Sequence, residues 1–159
     1  MDHSYKAGEL FLSGKNCAQA VVLAFGDVTG LDEKTAARFS SSFGGGIGRM
    51  REVCGAVSGM MMVLGLLYGY EEAGEKDCNK KALYKDVQLL ADKFRQEVGS
   101  IICREILKNP PSDPNPTPRT AEFYKQRPCA RMVMTAARIL DDHIAEHPLE
   151  GRFPRSGRL

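Results

Sequence analysis

Four cysteines stand in apolar or small-residue contexts at wide separation along the chain. They are Cys17 in Asn16-Cys17-Ala18-Gln19-Ala20, Cys54 in Cys54-Gly55-Ala56-Val57-Ser58-Gly59, Cys103 in Ile101-Ile102-Cys103-Arg104-Glu105, and Cys129 in Arg127-Pro128-Cys129-Ala130. A fifth, Cys78, lies in the polar run Glu75-Lys76-Asp77-Cys78-Asn79-Lys80. Thiolates exchange disulfides or ligate metals. Brought together, the four would make a dithiol/disulfide centre that needs no cofactor. Alternatively they would make a thiolate site for zinc or an iron–sulfur cluster, serving electron transfer or sensing. A third reading leaves them inert, because cysteine is among the most buried residue types. The chain is then a non-catalytic helical interaction module.

The spacing narrows the chemistry. No C-x-x-C pair is present, so neither a thioredoxin-like motif nor a zinc ribbon is indicated, and without C-x-x-C-H covalent c-type haem is excluded. The four can meet only through tertiary structure. Cys17, Cys54 and Cys129 each fall in the first turn of an expected helix, where backbone N–H groups and the positive helix end stabilise a thiolate. Lys15, Arg49, Arg51, Arg104, Arg127 and Arg131 flank the cysteines and would lower thiol pKa values further.

The positioning elements read as helices. Ala7, Leu10 and Phe11 have helical spacing over 4–13, and Gly14-Lys15 breaks it. Asn16 is a natural N-cap for a second helix through Ala24. Residues 26–30 read as a loop, and a short helix follows from Leu31 or Asp32 to Phe39. From Val53 to Tyr70 no residue carries a formal charge, and Gly55, Gly59, Gly65 and Gly69 interrupt the run. This stretch is barely long enough for a bilayer, and it reads as a buried central helix whose glycines admit a neighbouring backbone. Leu83, Val87, Leu90, Ala91, Phe94 and Val98 mark a long amphipathic helix over 75–98, ended by Gly99. Residues 100–108 form a short helix carrying Cys103. The last helix runs from Pro128 to about Glu146, with Val133, Ala136, Ala137, Leu140 and Ile144 as its apolar face. No segment shows a period-2 pattern.

Two segments resist both periods. Phe43-Gly44-Gly45-Gly46-Ile47-Gly48-Arg49-Met50-Arg51 has four glycines in five positions and must be a loop. It lacks the Gly-Lys-Ser/Thr of a P-loop, and no strand precedes it. Gly44, Gly45 and Gly46, with Gly55 and Gly59, are therefore expected to let the backbone pass close to Cys54 or to a bound group. Residues 109–118 hold five prolines in ten positions and read as an extended surface tether. Of the histidines, His3 reads as terminal. His143 and His147, an i, i+4 pair, read as a contact with the last helix's C-terminal dipole.

The bulk numbers fit an ordinary globular chain: 43% hydrophobic, 26% charged, net charge +2, which is too mild for nucleic acid. The opening residues Met1-Asp2-His3-Ser4-Tyr5-Lys6 have no basic-then-apolar signal pattern, so a cytoplasmic location is expected. Redox or metal chemistry is there the commoner use of clustered cysteines.

In the Asn16-Cys17-Ala18-Gln19-Ala20 segment, the Phe43-Gly44-Gly45-Gly46 loop, the Cys54-Gly55-Ala56-x-x-Gly59 block, and the later Cys103 and Cys129, the chain resembles the family of redox-active proteins named for its cysteine pattern, C_GCAxxG_C_C. The resemblance spans about residues 5–145. It implies that Cys17, Cys54, Cys103 and Cys129 are the family's cysteines, that Cys78 lies outside the set, and that the role is redox without a settled substrate. The combined expectation is an all-α, single-domain bundle over 1–147 around a buried glycine-rich helix, with a flexible basic tail over 148–159. Cys54 is the expected reactive thiolate, because the neighbouring glycines offer access and N–H donors. By resemblance alone Cys17 is the first candidate to resolve it. The partner is an unidentified redox protein or molecule, with a membrane protein among the candidates.

Overall fold

The computed structural model describes residues 2–71 and 78–149; of Cys78 it describes the backbone alone. The basic tail expected from residue 148 lies, from 150 onward, outside the described residues.

The architecture is all-α, and no strands are found among the described residues. Helix α1 (His3–Leu12) starts at Asp2, whose carboxylate accepts from the Tyr5 N–H at 3.1 Å. Gly14, at φ +104°, turns the chain back. Helix α2 (Cys17–Ala24) opens with a reciprocal capping box: the Asn16 side chain accepts from the Gln19 N–H, and the Gln19 side chain accepts from the Asn16 N–H. The expected loop at 26–30 is a single turn, α3 (Gly26–Thr29), closed by left-handed Gly30. Helix α4 (Glu33–Ser40) is capped by Asp32. A 3-10 turn (Ser41–Phe43) then leads into the glycine segment, whose first turn is α5 (Gly44–Ile47).

The charge-free stretch forms α6 (Gly55–Tyr68), followed by α7 (Cys78–Val98), α8 (Cys103–Ile106), α9 (Ala121–Gln126) and α10 (Cys129–Glu146). Cys103 has only one helical turn, shorter than the sequence pattern implied. The α9 turn has no periodicity that would announce it. No helix among the described residues is long and apolar enough to cross a membrane.

The core lies between α1, α2, α6 and α10, with Leu90 and Phe94 of α7 completing it. Helix α6 buries Ala56, Val57, Met60, Val63, Leu64 and Leu67, but it is not covered on every side. Ser58, Met61, Met62, Gly65 and Leu66 form an outward stripe. Its glycines divide accordingly. A Cβ at Gly59 would lie 2.8 Å from the Ala18 carbonyl oxygen and 3.0 Å from the Val21 Cβ, so α2 and α6 touch backbone to backbone there. A Cβ at Gly65 would meet nothing within 4 Å.

The histidines are structural in ways the sequence did not reveal. His3 is buried, stacked on Phe25 at 4.2 Å, with Nδ1 at 2.5 Å from an Asp141 carboxylate oxygen and Nε2 at 3.2 Å from Asp27. It ties α1 to α3 and α10. His143 is fully buried between Tyr68 and His147, and that burial lowers its pKa, so it does not act as a charged dipole contact. The dipole contact falls to His147, whose ring nitrogen lies 3.0 Å from the His143 carbonyl oxygen.

The glycine asymmetry gives a paired prediction. Gly59→Ala must push α2 and α6 apart, and we expect a loss of about 1–3 kcal/mol. Gly65→Ala gains helix propensity without a clash, and we expect a gain of up to about 1 kcal/mol. Urea unfolding midpoints measure both, and shifts of the same sign would overturn the packing account.

Candidate functional site

All four family cysteines sit at helix starts: Cys17, Cys103 and Cys129 are the first residues of α2, α8 and α10, and Cys54 is the N-cap of α6. A short antiparallel contact joins two of these starts. Val53 bridges Ile102, the Cys54 N–H donates to the Ile101 carbonyl at 2.8 Å, and the Cys103 N–H donates to the Glu52 carbonyl at 2.6 Å. A bidentate Arg104–Glu52 pair, at 3.0 and 2.6 Å, closes the outside of this contact. Gly55 brings in the third start, since a Cβ there would sit 3.0 Å from the Cys17 Cβ and 2.9 Å from the Phe43 carbonyl oxygen.

The glycine segment winds the wrong way for L-residues. Gly45, Gly46, Ile47, Gly48 and Arg49 all have φ between +55° and +69°, and Arg51 has φ +61°. Glycine adopts this conformation freely. Ile47, being β-branched, is strained there, and such strain persists only where the surroundings over-determine it. The surroundings here are tight: a Cβ at Gly46 would lie 2.7 Å from the Cys103 Cβ and 2.8 Å from the Glu52 nitrogen, and one at Gly44 would lie 2.6 Å from the Asn16 amide nitrogen. Donation from the Arg51 N–H to the Gly45 carbonyl and from the Glu52 N–H to the Gly46 carbonyl holds the turn.

Residues 109–118 are extended, as expected, but they are more than a tether. Arg49 donates to the Asp113 carbonyl and the Thr117 hydroxyl, both at 2.8 Å, and Arg51 donates to the Pro111 carbonyl at 3.0 Å. Just beyond, the Arg119 guanidinium lies 4.7 Å from the Phe11 ring centre and 4.8 Å from that of Phe123. The strap thereby walls a cavity of about 350 Å³ that all four cysteines line, together with Gly44, Gly45, Gly46 and Gly55. Gly59 lies outside the lining, in the α2–α6 contact. Of the flanking cations, Arg49, Arg51 and Arg127 line the cavity, whereas Lys15, Arg104 and Arg131 do not. Arg119 and the strap's place in the cavity wall escaped the sequence reading, since neither neighbours a cysteine in the chain.

Cys17, Cys54, Cys103 and Cys129 are free thiols in unequal environments. Cys17 and Cys129 are half-buried and near enough to influence one another's ionisation. Donation from the Cys17 thiol to the Cys129 sulfur raises the pKa of Cys17 well above the ordinary thiol range. The same bond lowers Cys129 to about 7, with Arg127, Arg119 and Arg51 adding to the effect against the opposing influence of burial. Cys54 is buried, and desolvation pushes it up to about 12 although the Ala56 and Val57 N–H groups favour its thiolate. Cys103 is likewise raised by burial, which Arg51 partly offsets. Of the four, Cys129 is therefore the sulfur whose surroundings favour the thiolate. Among the described residues, no group of three or more His, Cys, Asp or Glu side chains is arranged to hold a metal ion.

A family model described as "Putative redox-active protein (C_GCAxxG_C_C)" matches residues 15–143, and the chain belongs to that family. Membership supports a redox role in general terms. No curated protein and no solved structure matches the chain.

The thiol pair predicts its own pH signature. Site-resolved alkylation of Cys129 by iodoacetamide should rise through about pH 7 and then level, since only the thiolate reacts. Cys17→Ala removes the donor that stabilises the thiolate, so the midpoint should move to higher pH. Cys17→Ser keeps an O–H donor and should hold the midpoint near its original place. An unmoved midpoint in Cys17→Ala would show that the contact does not set the reactivity.

Proposed function

We propose that the cavity is a dithiol/disulfide centre in which Cys129 is the attacking thiolate and Cys17 the resolving thiol. The observation that carries this reading is the meeting of Cys17 and Cys129 in one cavity lining, at the starts of two helices, where their interaction favours the thiolate on Cys129 and the thiol on Cys17. The reactive role expected for Cys54 passes to Cys129, because a thiol raised to about 12 is protonated at neutral pH.

In the oxidising direction the Cys129 thiolate attacks one sulfur of a disulfide acceptor. A mixed disulfide forms and the acceptor's first half leaves as a thiolate. Cys17 gives its proton to that thiolate and attacks the Cys129 sulfur, releasing the second half. The products are a Cys17–Cys129 disulfide, one thiol and one thiolate, so two electrons pass from protein to acceptor. Reversal, with a dithiol donor, restores the pair. Such turnover suits a reducing compartment, consistent with the cytoplasmic expectation. Metal or cluster binding by the same thiols draws less support, because no ligand grouping of three or more side chains is formed among the described residues.

The test is peptide mapping of the protein after mild oxidation, with thiol–disulfide turnover measured in single variants. We expect an intact mass lower by one pair of hydrogens, a Cys17–Cys129 linkage, and loss of turnover in Cys129→Ser. Cys54→Ser should retain most turnover, with folding checked by circular dichroism. A Cys54–Cys103 linkage, or loss confined to Cys54→Ser, would overturn the assignment.

A further inference from the structure

Among the described residues, Arg51 is a buried cation without a counter-ion. It is 4% exposed; its Nε donates to the Pro111 carbonyl, one terminal nitrogen lies 3.9 Å from the Cys103 Sγ, and the other terminal nitrogen is buried with no hydrogen-bond partner. None of the ion pairs found among the described residues involves it. A guanidinium taken out of water without an anion is costly, so an orphaned N–H of this kind marks a place for one.

The rest of the lining points the same way. Arg49, Arg51, Arg119 and Arg127 line the cavity, and among the described residues no Asp or Glu does. Arg49 is partly accounted for by the Asp113 carboxylate at 3.7 Å. Arg119 and Arg127 lie over aromatic rings, which attract a cation but leave its charge unneutralised. The contrast is Arg104, whose backbone N–H donates to the Arg51 carbonyl but whose side chain, outside the lining, is paired with Glu52. A single thiolate cannot balance this surplus. The remaining walls include Phe11, Ile106, Leu107 and Met132, and the volume, about 350 Å³, holds a small organic molecule.

We infer that the reducible acceptor is a small organic disulfide carrying a carboxylate or sulfonate head group, which the Arg51 guanidinium binds while the apolar wall takes its short carbon chain and its sulfur meets Cys129. The inference rests on the dithiol reading above for its redox step. The anion site itself does not need that step.

The experiment compares three disulfides of matched length and different charge: bis(2-sulfoethyl) disulfide, bis(2-hydroxyethyl) disulfide and bis(2-aminoethyl) disulfide. Each rate of oxidation of the reduced protein is divided by that disulfide's rate with free 2-mercaptoethanol, which removes differences in leaving-group chemistry. We expect the anionic compound to lead the cationic one by about tenfold or more at low salt, with the gap shrinking as salt rises. Arg51→Gln should abolish most of the preference, and Arg51→Lys should recover part of it. Calorimetric titration with ethanesulfonate, which has no disulfide, reads the anion site alone and should lose its signal in Arg51→Gln. Equal normalised rates for the three compounds would overturn the inference and leave the dithiol centre standing. Ethanesulfonate binding with no reaction from any disulfide would sink the dithiol reading and keep the anion site. Absence of ethanesulfonate binding to the unmodified protein would count directly against the site.

Discussion

Where α6 crosses α2, the two backbones lie closer than any side chain permits. A Cβ at Gly55 would stand 3.2 Å from the Ala18 nitrogen, and one at Gly59 would stand 2.8 Å from the Ala18 carbonyl oxygen. That approach decides where the N-termini of both helices fall, and so where Cys17 and Cys54 stand. The glycine segment repeats the device one layer out. Its left-handed turn lets Gly46 press against the Cys103 Cβ, and the Val53–Ile102 bridge then fixes α8 beside α6. Cys129 arrives through α10, which packs on α1 and α2. The absence of side chains at a few positions thus does the work that a disulfide or a metal does in other small cysteine sites.

Bringing helix starts together has an electrostatic consequence. Each start carries partial positive charge from its unpaired N–H groups, and here three of the four arginines of the lining stand close enough to Cys129 to act on its ionisation. Such a place is unfavourable for further cations and favourable for any anion that enters. Among the four thiols the surroundings favour the charged form at Cys129, through its neighbour Cys17 and the nearby arginines. Burial works in the opposite direction on Cys54 and Cys103, which see more apolar surroundings. One cavity therefore holds cysteines of unlike character, and the differences come from depth and hydrogen bonding rather than from sequence context.

That distinction explains what could be read in advance. The helices with strong periodicity, α1, α2, α7 and α10, follow from apolar spacing, and Asn16 announces its helix start through the Gln19 partner three residues on. The grouping of cysteines at helix starts was visible for Cys17, Cys54 and Cys129, since Asn, Gly and Pro mark those boundaries. Cys103 was harder, because its single helical turn is held by a backbone bridge between segments far apart in the chain. The choice among the thiols was not legible, since it depends on which sulfur faces which donor. Nor was Arg119, whose position over Phe11 joins residues from opposite ends of the chain. His3 failed for a different reason: its partners Asp27 and Asp141 lie on other helices, and a histidine beside a chain end gives no local sign of burial.

The proline-rich strap shows how composition suits a wall over a cavity. A segment crossing such a site has no helix or sheet ladder to absorb its N–H groups, and most of this one stays exposed to water. Prolines at 110, 111, 114, 116 and 118 have no such donor and hold the chain extended. What the segment offers instead are carbonyl oxygens, and the arginines beneath supply the donors: Arg49 to Asp113 and Arg51 to Pro111. The same guanidiniums therefore hold the strap and charge the cavity. Arg51 uses one edge of its fork for the strap and turns another nitrogen toward Cys103, which leaves its last donor open. A lysine, with a single nitrogen on a flexible stem, offers no comparable planar division between wall and site. Retaining the cover and retaining the positive interior are, in this fold, one requirement on one side chain.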